Sequence, residues 1–309
     1  MSYILLVVAL TLIVVGAMLL TDGSVALARR MHIPEFIVGL TVVAVGTSMP
    51  EMAVSMISAV EGHGDMAIGN VVGSNIANTL LILGVCAIFS PVLFTKSNVR
   101  RDVPLNLAVS LLLLLAASTS AAINRVEGIL LLVVYVAMML YSIRKERRAM
   151  AESEEELADE MSPLRILVWI VAGLAGLVYG GDLFVSSATS IAKALGVSEA
   201  VIAISLVAVG TSLPELAASL ASIFKGSPSM ALGNVIGSNI ANILLILGAC
   251  STVTPLMMNG VSMTDIYVVV ASAVLLLLSA LFIGDKRITR IEGLLFLIFY
   301  IVYIFRGRL

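Results

Sequence analysis

The amino-acid sequence predicts an all-α integral membrane protein with ten transmembrane helices arranged as two inverted five-helix repeats. Three observations predict this class: a composition too apolar for a soluble domain, ten apolar runs, and two motifs that occur twice at one spacing. Of the 309 residues, 60% are hydrophobic and 12% are charged, whereas soluble domains carry about 25% charged residues. The net charge of −2 does not indicate a nucleic-acid partner. The apolar composition instead predicts that the protein lies in the lipid bilayer.

The apolar runs, separated by polar residues, Gly and Pro, define the individual spans. A transmembrane helix needs about 20 apolar residues. The predicted spans are 3–20, 36–60, 66–89, 103–121, 126–143, 164–190, 200–224, 230–253, 263–283 and 290–305. The first run lacks the basic start and the cleavage site of a signal peptide, so we expect it to be retained. Residues 1–143 form the predicted first repeat, 144–163 a hydrophilic linker, and 164–309 the second repeat.

The distribution of Lys and Arg predicts the orientation, because cytoplasmic loops of membrane proteins are rich in basic residues. With both termini outside, 14 of the 18 basic residues fall in inside loops and 4 in outside segments. We therefore predict a multi-pass protein of the cell (inner) membrane with outside N- and C-termini and a cytoplasmic linker. The acidic run at 152–160 lacks the Gly-turned spacing of a calcium-binding loop, so we interpret it as a solvated part of the linker.

Two sequence blocks recur at an offset of 164 residues. VAVGTSMPE at 43–51 matches VAVGTSLPE at 207–215 in 8 of 9 positions. GNVVGSNIANTLLILG at 69–84 matches GNVIGSNIANILLILG at 233–248 in 14 of 16 positions. Because each half has an odd number of predicted spans, the second copy must be inverted relative to the first. Inverted repeats are typical of secondary transporters, which bind their substrates between the repeats near the middle of the membrane.

Two acidic residues, Glu51 and Glu215, lie inside predicted spans at equivalent points of the repeats. An ionised carboxylate at the bilayer centre costs about 2.5–3.5 kcal/mol on insertion scales, so acidic residues there usually serve a function. Two facing carboxylates would neutralise one divalent cation. The alternative interpretation is a structural hydrogen bond or a protonated acid, but the equivalence of the two positions favours a cation site.

Hydroxyl and amide side chains accompany each glutamate. Thr47 and Ser48 lie four and three residues before Glu51, on its face of the helix. With backbone carbonyls freed by the motif prolines, these groups match the roughly six to eight oxygen ligands of Ca²⁺, and Na⁺ uses the same ligand type. The predicted side-chain ligands are Thr47, Ser48, Glu51, Ser74 and Asn78 in the first repeat and Thr211, Ser212, Glu215, Ser238 and Asn242 in the second. Asn70 and Asn234 either cap the broken helices or cross-link them.

GTSxPE followed by GSNIAN, present twice, resembles the two alpha-repeats of the prokaryotic-type sodium/calcium exchangers in the cation/calcium exchanger superfamily. This resemblance covers nearly the whole chain, and it implies a ten-helix inverted-repeat fold and antiport of Na⁺ against Ca²⁺. It also implies two backbone-carbonyl ligands, Ala44 and Ala208. Some relatives have Asp at the place of Asn242. The short linker leaves no room for the cytoplasmic calcium-sensing domains of animal exchangers.

The predicted function is therefore secondary active antiport of Na⁺ and Ca²⁺ by alternating access, electrogenic and independent of K⁺. A proton-driven calcium antiporter of the same superfamily is the nearest alternative, and a channel with a continuous pore is another. The sequence contains no nucleophile–base pair, nucleotide-binding loop or redox motif, so we do not expect an enzyme. We expect no cofactor besides the transported ions, and function as a monomer.

Overall fold

The computed structural model describes residues 2–119, 122–151, 161–194, 210–258, 261–282 and 286–306. The helices in these ranges are α1 (Ser2–Met31), α2 (Glu35–Thr47), α3 (Met49–Val60), α4 (Gly64–Phe89), α5 (Asn98–Thr119), α6 (Arg125–Ala151), α7 (Pro163–Ala194), α8 (Leu213–Phe224), α9 (Pro228–Val253), α10 (Met263–Leu281) and α11 (Arg290–Arg306). Four short strands are β1 (Val92–Leu93), β2 (Ala122–Ile123), β3 (Leu256–Met257) and β4 (Arg287–Ile288).

Most of these helices are long and apolar enough to cross a membrane. In the described part of the chain, seven helices meet this description singly, and α2 with α3 forms an eighth, bent span. The protein is therefore a helical, multi-pass membrane protein. Helices α8 and α11 are shorter, with 12 and 17 residues. Residues 200–209, the predicted start of the seventh span, lie outside the described residues, and the count of ten spans stays a prediction.

Two helices extend well beyond the apolar runs that predicted them. The predicted end of the first span, in 3–20, is wrong by eleven residues, because α1 continues to Met31. Its added turns carry Asp22, which forms an ion pair with Lys225 at the end of α8. Helix α6 also continues to Ala151, into the predicted linker. An apolar run therefore locates the membrane segment but not the helix end, because polar turns outside the bilayer are stabilised by contacts that hydropathy does not register.

Helices α4 and α9 occupy the centre of the molecule. Of their most apolar 18-residue windows, 78% and 94% is buried, compared with 22–39% for the other five long helices. Large apolar side chains of both helices, including Ile76 and Ile236, are fully buried. The outer helices expose apolar side chains such as Leu167 and Ile298, as expected for surfaces that face lipid. The duplicated GSNIAN segments therefore lie in the core.

Glycines allow helices of opposite halves to approach closely. A Cβ atom added to Gly84 in α4 would lie 2.9 Å from the carbonyl oxygen of Gly293 in α11. The equivalent glycine of the second half, Gly248 in α9, would place its Cβ 3.1 Å from the carbonyl oxygen of Gly128 in α6. Helices α1 and α7 also meet through glycines. Small residues at such contacts are a common means of packing membrane helices.

The strands join loops of the two halves. β1 pairs antiparallel with β4, with Val92 opposite Ile288, and β2 pairs antiparallel with β3, with Ile123 opposite Leu256. The loop that follows α4 is therefore bound to the loop that precedes α11. The loop that precedes α6 is bound in the same way to the loop that follows α9.

A candidate cation site between the two halves

Each glutamate lies in the first turn of a helix that starts just after an interruption of the helical backbone. Helix α2 ends at Thr47, and α3 begins at Met49 in a direction 46° away. Ser48 at this break has φ −81° and ψ 9°, and its counterpart Ser212, which precedes α8, has φ −89° and ψ 4°. The break occurs here because proline, the second residue of α3 and of α8, lacks the N–H and clashes with the preceding turn of a continuous helix. Glu51 and Glu215 then fall in the first helical turn, where the helix dipole favours negative charge.

The two carboxylates are buried together. Each glutamate is 1% exposed, and the two side chains lie close enough to interact electrostatically. The Ser48 hydroxyl donates a hydrogen bond of 2.9 Å to Oε1 of Glu215. Among the described residues, neither oxygen of Glu51 and not Oε2 of Glu215 has a hydrogen-bond partner, and no Lys or Arg forms an ion pair with either glutamate. The negative charge of the ionised pair is therefore not compensated by any described basic residue.

Four of the other predicted side-chain ligands adjoin this pair, and most of the rest are buried. Ser74 and Ser212 lie near the Glu51 carboxylate and Thr47 lies near that of Glu215, but none of the three forms a hydrogen bond of normal geometry with these oxygens. Thr211 is partly buried. The other hydroxyl and amide ligands are buried, namely Thr47, Ser48, Ser74, Asn78, Ser212, Ser238 and Asn242. Because Ser48 and Thr47 approach Glu215 and Ser212 approaches Glu51, both halves of the chain build the site.

Buried polar atoms without partners are concentrated in the predicted ligands. Fifteen buried side-chain N and O atoms lack a hydrogen-bond partner in the described part of the structure, and eight of them belong to predicted ligands. These eight are Oε1 and Oε2 of Glu51, Oδ1 and Nδ2 of Asn78, Oγ of Ser212, Oε2 of Glu215, Oγ of Ser238 and Oδ1 of Asn242. Burying such atoms unpaired is costly, and seven of the eight are oxygens. A hard cation would satisfy these oxygens.

The backbone carbonyls of the first break are less free than the sequence suggests. The Ser48 N–H is directed toward the carbonyls of Ala44 and Gly46, and only its bond to Ala44 has normal hydrogen-bond geometry. The Ala44 carbonyl accepts from the Ser48 N–H at 3.1 Å and lies 3.4 Å from the Thr47 hydroxyl. Ala208, its predicted counterpart, lies outside the described residues.

Wide helical turns adjoin the site in both halves. π-Helical turns cover Gly39–Val43 in α2, Ala77–Ile82 in α4 and Asn242–Ile246 in α9. Asn78 lies at the start of the α4 turn and Asn242 opens the α9 turn. π-Turns are rare in proteins and occur frequently at functional sites. Nothing in the sequence pattern predicted them, because a helix with one wider turn keeps nearly the same apolar periodicity.

Asn70 and Asn234 cross-link helices, which decides between the two roles open at the sequence level. Nδ2 of Asn70 donates to the backbone oxygen of Glu51 at 3.2 Å and to the Ser55 hydroxyl at 2.9 Å. Nδ2 of Asn234 donates to the backbone oxygen of Glu215 at 3.3 Å and to the hydroxyl of Ser219 at 2.9 Å. Each asparagine thus holds the helix that carries a glutamate against the central helix of the same half.

Two further asparagines at the site were not predicted as functional. Asn75 in α4 and Asn239 in α9 link the central helices through side-chain hydrogen bonds, and both are buried. The duplicated block GSNIAN contains both residues, so the signal was present in the sequence. Their role was missed because the serine and the last asparagine of each block already accounted for the expected ligands.

Buried carboxylates that lack a basic partner among the described residues, flanked by hydroxyl groups from two similar halves of a multi-pass helical protein, indicate the class of ion-transporting membrane proteins. Comparison with known proteins narrows this class. A family model described as "Sodium/calcium exchanger protein" matches residues 1–144 and 165–306. The chain is 30% identical to "Sodium/calcium exchanger MaX1" of Methanosarcina acetivorans, with 98% of this chain and 97% of that protein covered.

A second relative and a solved structure agree with this match. "Inner membrane protein YrbG" of Escherichia coli (strain K12) is 36% identical, with 81% of this chain and 79% of that protein covered. The structure of the sodium-calcium exchanger NCX_Mj soaked with 10 mM Na⁺ and zero Ca²⁺ superposes with a TM-score of 0.86 at 34% identity, covering 98% of this chain and 97% of that chain. The protein belongs to the sodium/calcium exchanger family, as the duplicated motifs predicted.

Proposed function

We propose that the protein is a secondary antiporter that exchanges Na⁺ for Ca²⁺ across the membrane by alternating access. The observation that carries this proposal is the buried pair Glu51 and Glu215, whose carboxylate oxygens are largely unpaired among the described residues. In a member of the sodium/calcium exchanger family, such a pair supplies the two negative charges that one Ca²⁺ requires. The relatives named as sodium/calcium exchangers support the same substrates.

The proposed ligand set is the one that the two motifs supply. Its side chains are Thr47, Ser48, Glu51, Ser74, Asn78, Thr211, Ser212, Glu215, Ser238 and Asn242, and its backbone carbonyls are those of Ala44 and Ala208. All of these ligands are oxygens, the type that Ca²⁺ and Na⁺ prefer. Exchange requires that the same oxygens bind either Ca²⁺ or Na⁺ in turn, so that one ion replaces the other.

We propose that transport is electrogenic, because several Na⁺ ions per Ca²⁺, as the family resemblance implies, carry a net charge. The test is uptake of radiolabelled Ca²⁺ into liposomes containing the purified protein and internal Na⁺. Net positive charge leaves the liposome during uptake, so an inside-positive potential should accelerate uptake and an inside-negative potential should slow it. Equal uptake driven by a pH gradient in the absence of Na⁺ would establish the proton-driven alternative instead.

We also propose that K⁺ is not required, because the two glutamates and two asparagines carry a charge of −2 at most. Replacing K⁺ by choline on both sides should leave Na⁺-driven uptake unchanged. Asn242→Asp adds a third negative charge to the buried cluster, so this variant should acquire sensitivity to pH or to K⁺. Loss of wild-type uptake on K⁺ removal would contradict the charge argument.

The proposed architecture has ten spans in two inverted repeats, 1–143 and 164–309, joined by the linker 144–163. The strand pairs support it, because two loops that hydrogen-bond must lie on the same side of the membrane. In the ten-span arrangement, six spans separate β1 from β4 and four separate β2 from β3, and both even numbers meet this condition. Because one chain supplies both halves of the site, we propose that the monomer is the functional unit.

The proposed orientation places both termini and the loop around His63 outside the cell membrane, with the linker in the cytoplasm. Single cysteines introduced into a protein without Cys86 and Cys250 would report the side of each segment. An impermeant thiol reagent applied to intact cells should label cysteine at His63, which is exposed, and should not label cysteine at Ser153 in the linker. Labelling at position 153 alone would reverse the orientation.

A further inference from the structure

The amide of Asn242 is held by a chain of two hydrogen bonds between the central helices. Its Nδ2 donates to Oδ1 of Asn75 at 2.9 Å, and Nδ2 of Asn75 donates to the backbone oxygen of Asn239 at 3.1 Å. All three residues are buried, with exposures of 1–3%. Oδ1 of Asn242 is left without a partner among the described residues.

The direction of this chain follows from its last member. A backbone carbonyl only accepts hydrogen bonds, so Asn75 must turn its NH₂ group toward Asn239. Oδ1 of Asn75 then faces Asn242, and the NH₂ group of Asn242 must donate the hydrogen bond to it. The backbone of α9 therefore determines that the unpaired atom of Asn242 is the oxygen and not the nitrogen.

Asn78, the equivalent residue of the first half, has no such restraint. Neither Oδ1 nor Nδ2 of Asn78 has a hydrogen-bond partner within the described ranges. The residue that corresponds to Asn75 is Asn239, and Nδ2 of Asn239 instead donates to the Thr79 hydroxyl at 2.8 Å, while its Oδ1 is unbonded. Thr79 is one of the two positions at which the duplicated blocks differ, and its counterpart Ile243 has no hydroxyl.

We propose that Asn75 is a positioning residue that orients the Asn242 amide, so that its oxygen faces the cation while Asn78 adjusts freely. The inference rests on the proposed function, because it assumes that Asn242 is a ligand. A cation is repelled by an amide NH₂ group, and a ligand that is held in the correct orientation loses less entropy when the cation binds. The two amides therefore contribute differently to the site although their local sequences are nearly identical.

The test is the dependence of Na⁺-driven uptake on Ca²⁺ concentration in liposomes. Loss of a partner that orients a metal ligand typically weakens metal affinity by about 10–100-fold. Asn75→Ala should therefore raise the KM for Ca²⁺ by about tenfold or more, with a much smaller change in the maximal rate. Asn75→Leu, which keeps the branched shape of the side chain but cannot form hydrogen bonds, should give a similar increase and serves if the alanine variant does not fold. Asn239→Ala is the matched comparison: it keeps the backbone carbonyl that orients Asn75 but removes the other side-chain hydrogen bond between the central helices, so it reports the effect of lost helix contact alone and should raise the KM much less than Asn75→Ala.

A double-mutant cycle separates orientation from packing. Asp at position 242 presents an oxygen in either orientation, so Asn75→Ala should raise the KM far less in an Asn242→Asp background than in the wild type. An equal increase in both backgrounds, or an equal effect of Asn239→Ala, would overturn the positioning role.

Glu51→Gln is measured in parallel: if it abolishes uptake while Asn75→Ala leaves the KM unchanged, the inference fails and the proposed function stands. Wild-type uptake by Glu51→Gln would instead refute the proposed function.

Discussion

The two copies of the GTSxPE motif share almost the same sequence and the same backbone conformation at the serine that breaks the helix, yet their side chains bond differently. Ser48 donates across the site to Glu215, whereas the hydroxyl of Ser212 has no partner among the described residues. Glu215 therefore has one bonded oxygen, and Glu51 has none. Asn242 is held by Asn75, and Asn78 is unrestrained.

This difference shows that the duplicated sequence specifies which side chains the two halves have in common, but not which hydrogen bonds each of them forms. Two halves that pack against each other cannot both keep every contact identical, because a few positions differ. Thr79 and Ile243 are such a pair. The unequal bonding leaves the first-half groups, Glu51 and Asn78, with the most unpaired atoms.

The largest expected effect tests whether both halves are needed. Glu51→Gln and Glu215→Gln should each reduce exchange by at least about a hundredfold. Each variant deprives the bound cation of one of its two carboxylates, and removing one partner from a buried pair of opposite charges costs about 3–5 kcal/mol. Na⁺-driven Ca²⁺ uptake in liposomes measures this loss, and thermal unfolding in detergent confirms that the variants fold. Glu155→Gln in the linker should transport like the wild type. Normal exchange by either glutamate variant would contradict the prediction that both glutamates are required.

A smaller effect should distinguish the two serines. Ser48→Ala removes a hydrogen bond to a charged group, worth about 1.5–3 kcal/mol, and should lower the unfolding temperature measured without Na⁺ and Ca²⁺. Ser212→Ala removes a hydroxyl that is unbonded in the described structure, so it should lower that temperature much less. Equal destabilisation by the two variants would show that the halves are alike in the ion-free protein.

The smallest effect concerns packing, where the halves are expected to behave alike. Gly84→Ala and Gly248→Ala each place a Cβ about 3 Å from a backbone oxygen. Such overpacking costs about 1–3 kcal/mol, partly offset by a gain in helix propensity of about 1 kcal/mol. Both variants should unfold at a slightly lower temperature. Gly181→Ala, whose Cβ would make an ordinary 3.7 Å contact with Pro214, should be neutral or stabilising, and the same result for Gly84→Ala would contradict the close approach.

Much of this protein was predictable from the sequence alone. Composition predicted a helical membrane protein, the duplicated motifs predicted the family, and the position of Glu51 and Glu215 beside hydroxyl and amide residues predicted a shared polar site. These features were readable because they depend on residue type and on spacing within a few turns of helix. The same information placed the helix breaks at the motif prolines, where a backbone donor is missing.

Only the tertiary structure decided which partner each polar group takes. Ser48 meets Glu215 and Asn75 meets Asn242 across 167 residues of sequence in each case. The extension of α1 to Met31, where Asp22 meets Lys225, also depends on a distant helix. Local sequence cannot specify these choices, because Ser48 and Ser212, or Asn78 and Asn242, have nearly the same neighbours along the chain. Their neighbours in space differ, and in a buried site it is those neighbours that supply or withhold each hydrogen bond.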